Sequence, residues 1–197
     1  MKKVLLCYFG NFLCYDFNSS KIFVEESIES ERIDKVELGV FYHKGNILRE
    51  ITKKKYDKIV IFGMRGDIKK PSFEQYAKNE MKHIRNPIYR FICNIYLYYL
   101  NIRKVNFTSK KQISEKFFKI FQIEKSKEKI IKLRSECPVI SGLDISQDAG
   151  NYVCNYTMWV VEKFLKKYQK DTEFYFIHLP YSIKSQDKKK LQQFIED

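Results

Sequence analysis

Cys154 lies in the run Ser146-Gln147-Asp148-Ala149-Gly150-Asn151-Tyr152-Val153-Cys154-Asn155, which leads from an apolar segment into a long amphipathic one. In the first turns of a helix a cysteine meets unpaired backbone N–H groups and the positive end of the helix dipole, so a thiolate is favoured and a lowered pKa is expected. The same N–H groups could stabilise an oxyanion on an attacked carbonyl. By position alone, the commoner fate of such a residue is a small buried hydrophobe. His178 changes the balance. It closes the apolar run Phe174-Tyr175-Phe176-Ile177 and precedes Leu179-Pro180-Tyr181, at a strand end from which an imidazole can reach a neighbouring junction. The other two histidines have a surface character: His43 stands before Lys44 and Gly45 in a turn, and His83 lies in a Lys/Arg-rich stretch. A nucleophile and its base also need a group that orients the imidazole. Asp67 and Glu74, both in the segment after Gly63, are the candidates, and spacing does not choose between them.

Those side chains have to be presented by a scaffold, and the chain alternates short β-rich apolar runs with amphipathic segments. This pattern predicts an α/β fold with a mostly parallel central sheet. Strands are expected near Lys3–Tyr8, Val36–Tyr42, Lys58–Phe62, Val139–Ile145 and Phe174–His178. Helices are expected near Ser20–Glu29, Asn46–Lys54, Lys110–Leu133, Asn151–Lys167 and Ser185–Ile195, with Asn18, Ser19 and Ser20 supplying the first N-cap. Phe73–Met81 fits neither period. In a parallel sheet the strand ends at Gly63, Ser146 and His178 would share one side, where open α/β sheets form their ligand sites.

Composition narrows the class. The 197 residues suit one globular domain, with 44% hydrophobic and 16% aromatic residues available for a core. The five cysteines are odd in number and scattered without a C-x-x-C pair, which argues against a disulfide framework or a zinc knuckle and for reduced thiols in the cytoplasm. Met1-Lys2-Lys3 followed by VLLCYFGNFLCY has the outline of a signal peptide, but Gly10 and Asn11 break the apolar run and no small-residue cleavage site follows. The aromatic stretch Tyr89–Leu100 is too short to span a bilayer, so no membrane partner is expected. Of the net charge of +13, eleven Lys/Arg against three Glu fall between Arg103 and Arg134. Ile113, Phe117, Ile120, Phe121 and Ile130 recur there at roughly helical spacing, so this charge reads as a solvated helix face over an apolar stripe rather than a nucleic-acid footprint.

The run SQDAGNYVCN is similar to the nucleophile motif of the pyroglutamyl peptidase I (pyrrolidone-carboxylate peptidase) family, with an Ala-Gly pair before the catalytic Cys and an Asn after it. FIHLPY resembles the family's catalytic-histidine motif, and the separation of Cys154 from His178 is the family's. The opening Val4-Leu5-Leu6-Cys7-Tyr8-Phe9-Gly10-Asn11-Phe12, with Asn18 and Ser20 beyond it, looks like the family's V-L-x-T-G-F-x-P-F-G-G…N-P-S. Gly63-Met64-Arg65-Gly66…Glu74…Asn79 looks like its G-x-x-G-G-R…E-R…N. The resemblance implies a three-layer α/β/α sandwich and a cofactor-free cysteine peptidase that removes N-terminal pyroglutamyl residues, and it allows homo-oligomers. It implies Cys154 as nucleophile, His178 as base and, in preference to Asp67, Glu74 as orienter. By the same resemblance Phe9 and Phe12 would sandwich the lactam ring, Asn18 would hold their loop, the Met64 backbone would read the lactam amide, and Tyr152 and Val153 would line the pocket.

The chain also departs from the family pattern. Tyr8-Phe9 stands for Gly-Phe, Phe12-Leu13-Cys14 for Phe-Gly-Gly, and Gly66-Asp67-Ile68 for Gly-Gly-Arg, so glycines and an arginine are lost and the ring pocket is reshaped. Arg85 is the candidate to replace an arginine near the oxyanion site. The basic and aromatic stretch near 87–111 has no family counterpart and reads as an insertion in one 197-residue peptidase-like domain. Two other readings stand beside pyroglutamyl peptidase activity: a divergent or impaired member acting on another capped peptide, and a non-enzymatic binder of an acidic partner through the basic face.

Overall fold

The computed structural model describes residues 2–11, 17–26, 30–40, 44–83 and 119–197. In chain order these form β1 (Val4–Phe9), α1 (Ser19–Glu25), β2 (Ile33–Leu38), α2 (Lys44–Lys53), β3 (Lys58–Met64), β4 (Ser72–Glu74), β5 (Tyr76–Lys78), β6 (Met81–His83), β7 (Lys119–Phe121), β8 (Ile130–Lys132), β9 (Asp144–Ser146), α3 (Val153–Tyr168), β10 (Glu173–Leu179) and α4 (Ser185–Glu196). Among the described residues the main sheet runs in the order β2-β1-β3-β10-β4-β9. The first four strands are mutually parallel, β4 is antiparallel to β10, and β9 is parallel to β4.

The three central strands read VLLCYF, KIVIFGM and EFYFIHL, near-continuous apolar runs of the kind that parallel strands covered on both faces require. Alternation sends their side chains to opposite faces. Leu5, Ile59, Ile61, Phe174 and Phe176 pack with Ile51 of α2 and with Trp159 and Leu165 of α3. Val4, Leu6, Val60, Phe62 and Ile177 pack with Phe23 of α1 and with Leu191 of α4. The result is the expected helix–sheet–helix sandwich with a mostly parallel sheet. Asn18 is the N-cap of α1, its side chain accepting from the Ser20 amide at 3.0 Å, as the sequence predicts. No helix among the described residues is long and apolar enough to cross a membrane.

Two expected elements are different. Val139–Ile145 is not a buried strand: Val139 is 94% exposed, and only Asp144–Ser146 pair, next to β4. Ile140 to Leu143 make a turn, the Leu143 N–H donating to the Ile140 carbonyl at 3.0 Å, with Gly142 at a φ of 89°. A positive φ at the third turn position favours glycine, so Gly142 ends the run. Because β9 is antiparallel to β3 and β10, its C-terminal end at Ser146 does not share the side on which Gly63 and His178 end their strands.

The helix expected over Lys110–Leu133 is also absent from its described part. Residues 119–121 pair with β6 and residues 130–132 with β5, both antiparallel. Asn79 holds the turn between these strands, accepting from the Ile123 and Glu124 amides at 3.0 Å each and donating to the Glu124 and Glu128 carbonyls at 3.0 and 3.2 Å. Tertiary pairing here overrides the helical spacing of the apolar residues, and Ile120 and Ile130 are exposed. Phe73–Met81, which fits neither period, contains parts of three short strands. The stretch near 87–111 lies outside the described residues.

Candidate active site

The site is organised around Gly63, which faces His178 across the β3–β10 ladder. Ser72 of β4 pairs with His178 on the other side, so Ser72 and, two residues on, Glu74 share the sheet face of Phe176 and His178. His178 is 2% exposed and Glu74 1%, and Nδ1 of the imidazole lies 2.7 Å from Oε1 of the carboxylate. A carboxylate on Nδ1 fixes the ring and leaves Nε2 to exchange a proton elsewhere. Glu74 Oε1 is also 3.4 Å from the Ser72 hydroxyl and 3.7 Å from Arg65 Nη1. Its other oxygen, Oε2, accepts no hydrogen bond among the described residues.

Cys154 is the second residue of α3 and reaches the same space from the helix above the sheet. A Cβ on Gly63 would stand 2.9 Å from Cys154 Sγ, 3.1 Å from His178 Cδ2 and 3.2 Å from Phe176 Cε1. Thiol and imidazole therefore share the space over Gly63, and only the missing side chain lets them in. The structure thus brings Cys154, His178 and Glu74 together from three elements far apart in sequence. Asp67 is not in this chain of groups: it is half-exposed in the loop after β3, 3.1 Å from Arg65 Nε.

The ionisation of Cys154 differs from the sequence expectation. Burial, reinforced by the negative charge of Glu74, pushes the thiol up to about 12, against the pull of its own amide N–H and of Arg65. At the partly buried Cys154 the favourable helix start is outweighed by burial. Tyr152, the N-cap of α3, makes no side-chain cap bond, so this helix start carries no capping side chain of its own.

The remaining predicted residues separate into two groups. The Asn18 side-chain amide donates to the Phe9 and Gly10 carbonyls at 2.9 and 2.8 Å. Met64 ends β3 opposite Leu179, and Tyr152 stands half-buried before Cys154 with Lys82 Nζ 5.4 Å from its ring centroid. Phe9, however, is 3% exposed, and it packs in the α3-side core with its ring centroid 6.4 Å from that of Phe176. Val153 is likewise buried in that core. Neither offers an open face to a ring. Phe12, Arg85 and His43 lie outside the described residues. Among the described residues no group of three or more His, Cys, Asp or Glu side chains gathers where a metal ion could be held.

Two residues matter more than their sequence context suggests. Asn155, fully buried, accepts from the Lys78 amide at 2.7 Å and donates to the Lys78 and Glu80 carbonyls at 2.8 and 2.7 Å, locking the start of α3 to the strands that follow Glu74. An amide inside an apolar helix run needs such partners, and that is its sequence signal. Arg65 reaches Glu74 although the arginine of the matching motif falls three positions later. Its signal is a cation in the loop directly after β3.

Residues 130–193 match the model of the pyroglutamyl peptidase family, a stretch that holds both the cysteine and the histidine motifs and stops short of Glu74 and the opening loop. The resemblance carried by those two motifs is thereby borne out. No curated protein matches the sequence. Among solved structures, pyroglutamyl peptidase I from Bacillus amyloliquefaciens is similar with a TM-score of 0.70 at 17% identity, over 98% of this chain and 94% of that one. Pyrrolidone carboxyl peptidase from Thermococcus litoralis is similar with a TM-score of 0.64 at 19% identity, over 91% of this chain and 77% of that one. The Pyrococcus furiosus enzyme gives 0.61 at 18% identity, over 90% and 80%. At these identities the likeness is one of fold.

Proposed function

We propose that this chain is a divergent cysteine peptidase of the pyroglutamyl peptidase type, removing an N-terminal 5-oxoprolyl residue from peptides. The observation that carries the reading is the 2.7 Å contact between His178 Nδ1 and Glu74 Oε1, with Cys154 Sγ and the His178 ring both bordering the space over Gly63. This supports a reading of Cys154 as nucleophile, His178 as base and Glu74 as orienter.

In the proposed reaction His178 Nε2 takes the thiol proton as Sγ attacks the pyroglutamyl carbonyl carbon. Glu74 stabilises the imidazolium through Nδ1–H, and backbone N–H groups in the first turn of α3 receive the negative oxygen. The C–N bond breaks as the imidazolium protonates the leaving amine, giving a thioester and a shortened peptide. His178 then takes a proton from water, whose oxygen attacks the thioester. Pyroglutamate leaves, and Sγ regains its proton. Because the thiol rests neutral, its deprotonation is coupled to attack rather than completed beforehand. Cys7, Cys137 and Cys154 are free thiols, which suits a reducing compartment such as the cytoplasm.

Turnover of a pyroglutamyl-aminocoumarin substrate by the parent and by Cys154→Ser tests this. The expected loss in the variant is on the order of 10³-fold or more. A variant that cleaves at the parent rate sinks the assignment. A second reading, thiol catalysis on a differently capped peptide, is favoured by the burial of Phe9 and Val153, which leaves the lactam ring without those two walls. It predicts covalent labelling of Cys154 without pyroglutamyl turnover. In the described part of the basic segment Arg134 is drawn in to buried Glu162, while Lys125, Lys127, Lys129 and Lys132 are exposed.

A further inference from the structure

Arg65 touches β10, β4 and the loop that leads into α3. Its amide donates to the Leu179 carbonyl at 2.8 Å, one residue past His178. Its guanidinium Nη1 donates to the Asp148 carbonyl at 2.6 Å, in the loop that leads into α3 and Cys154, and the same nitrogen stands 3.7 Å from Glu74 Oε1. Nε is held by Asp67 Oδ1 at 3.1 Å, which orients the fork. Among the described residues Arg65 is the one Lys or Arg within ion-pair reach of Glu74, and it is 29% exposed while Glu74 is sealed.

We propose that Arg65 is a positioning residue that clasps the loop before Cys154 to the β3–β10 edge beside His178 and sets a positive charge against Glu74, so that the negative charge of Glu74 is felt less strongly by the thiol. The inference rests on the reading of Cys154 as nucleophile. The charged and titratable groups around the thiol are Glu74 from β4, His178 from β10, and Arg65 with Asp67 from the loop after β3. The loop before α3 adds Asp148, whose carboxylate pairs with Lys78 at 2.8 Å. Of these, Glu74 makes the thiol harder to ionise and Arg65 makes it easier. A guanidinium with a permanent charge can hold the Asp148 carbonyl and oppose Glu74 at once, and of these two the charge is what acts on the thiol.

The test is the rate of Cys154 carbamidomethylation by iodoacetamide, read by peptide mass spectrometry across neutral to alkaline pH. This readout does not depend on which substrate the enzyme takes. In Arg65→Gln, which keeps some hydrogen bonding and loses the charge, labelling should fall about tenfold at each pH below the thiol pKa. In Arg65→Lys it should stay within about twofold of the parent, because the charge remains. Equal labelling of Arg65→Gln and the parent overturns the proposal, and so does an equal loss in both variants, which would make the fork merely structural. Should Arg65→Gln fail to fold, Asp67→Asn decides: removing the half-exposed carboxylate that offsets Arg65 should speed labelling about twofold, and no change overturns the proposal. Turnover of the pyroglutamyl substrate by the parent is measured alongside. Its absence would sink the substrate assignment, while labelling alone still decides the role of Arg65.

Discussion

Glu74, His178 and Cys154 sit on two paired strands and the first turn of a sixteen-residue helix, whereas Phe9, Asn18, Met64 and Tyr152 sit at strand ends and in the loops beyond them. The half of the site proposed to move protons is therefore held by the ladder that fixes the fold: His178 cannot shift relative to Gly63 or Ser72 without breaking β10 from its neighbours. The proposed acyl-binding half lies at strand ends, and there the glycines of the family pattern have given way to Tyr8 near the end of β1 and, outside the described residues, to Leu13 and Cys14. Substitution in a loop costs less than substitution in a central strand. A divergent chain is expected to keep the first half longer than the second, and the closed packing of Phe9 beside the intact Glu74–His178 contact is what that expectation looks like in one molecule.

The contrast can be broken most severely at Gly63. An alanine there puts a methyl group 2.9 Å from Cys154 Sγ, and the sulfur or the backbone has to move. Displacement of a reacting group by a fraction of an ångström to an ångström predicts a loss of turnover of about 10²-fold in Gly63→Ala. An unchanged kcat/KM would show that the close approach over Gly63 is not needed.

Next in size is the pH dependence of the nucleophile. With the thiol pushed up to about 12 by burial, the thiolate fraction in the free enzyme is small at neutral pH. Alkylation of Cys154 should rise about tenfold per pH unit from about 7 to 10, since only the thiolate reacts. A thiol lowered by the helix start would instead react at a constant rate over that range. A plateau beginning near neutral pH would remove the case for a neutral resting thiol.

The smallest expected effect sharpens the acyl-binding side. Phe9→Leu in a closed core should lower stability by about 1–2 kcal/mol, measured by denaturant unfolding, with KM for the pyroglutamyl substrate within about twofold of the parent. A rise in KM of tenfold with unchanged stability would mean that the ring is a binding platform and that the loop opens to expose it.

Much of this was legible in the chain. The continuous apolar runs of β1, β3 and β10 and the amphipathic stripe of α3 declare a sandwich through periodicity, and the motifs around Cys154 and His178 carry the family resemblance. Less was legible where local spacing and tertiary pairing disagree. The residues of β7 and β8 carry helical spacing, yet their partners β6 and β5 lie far upstream, and Asn79 supplies the bonds that hold the turn between them. Val139–Ile145 looks like a strand until Gly142 is seen at positive φ in its turn.

By itself the sequence determined the central strands and the helices that cover them, because these follow from side-chain chemistry and short-range periodicity, while the pairing of Cys154 with His178 came from the family resemblance of their motifs. The resemblance selected Glu74 over Asp67, and the tertiary structure supplied the contact. Only the fold decided that Gly63 is the empty space in which thiol and imidazole meet, that burial outweighs the helix start at Cys154, and that Arg65 reaches Glu74. Each of those depends on distances between segments remote in the chain and on how much solvent the packing excludes, and neither quantity is set by any stretch of sequence alone.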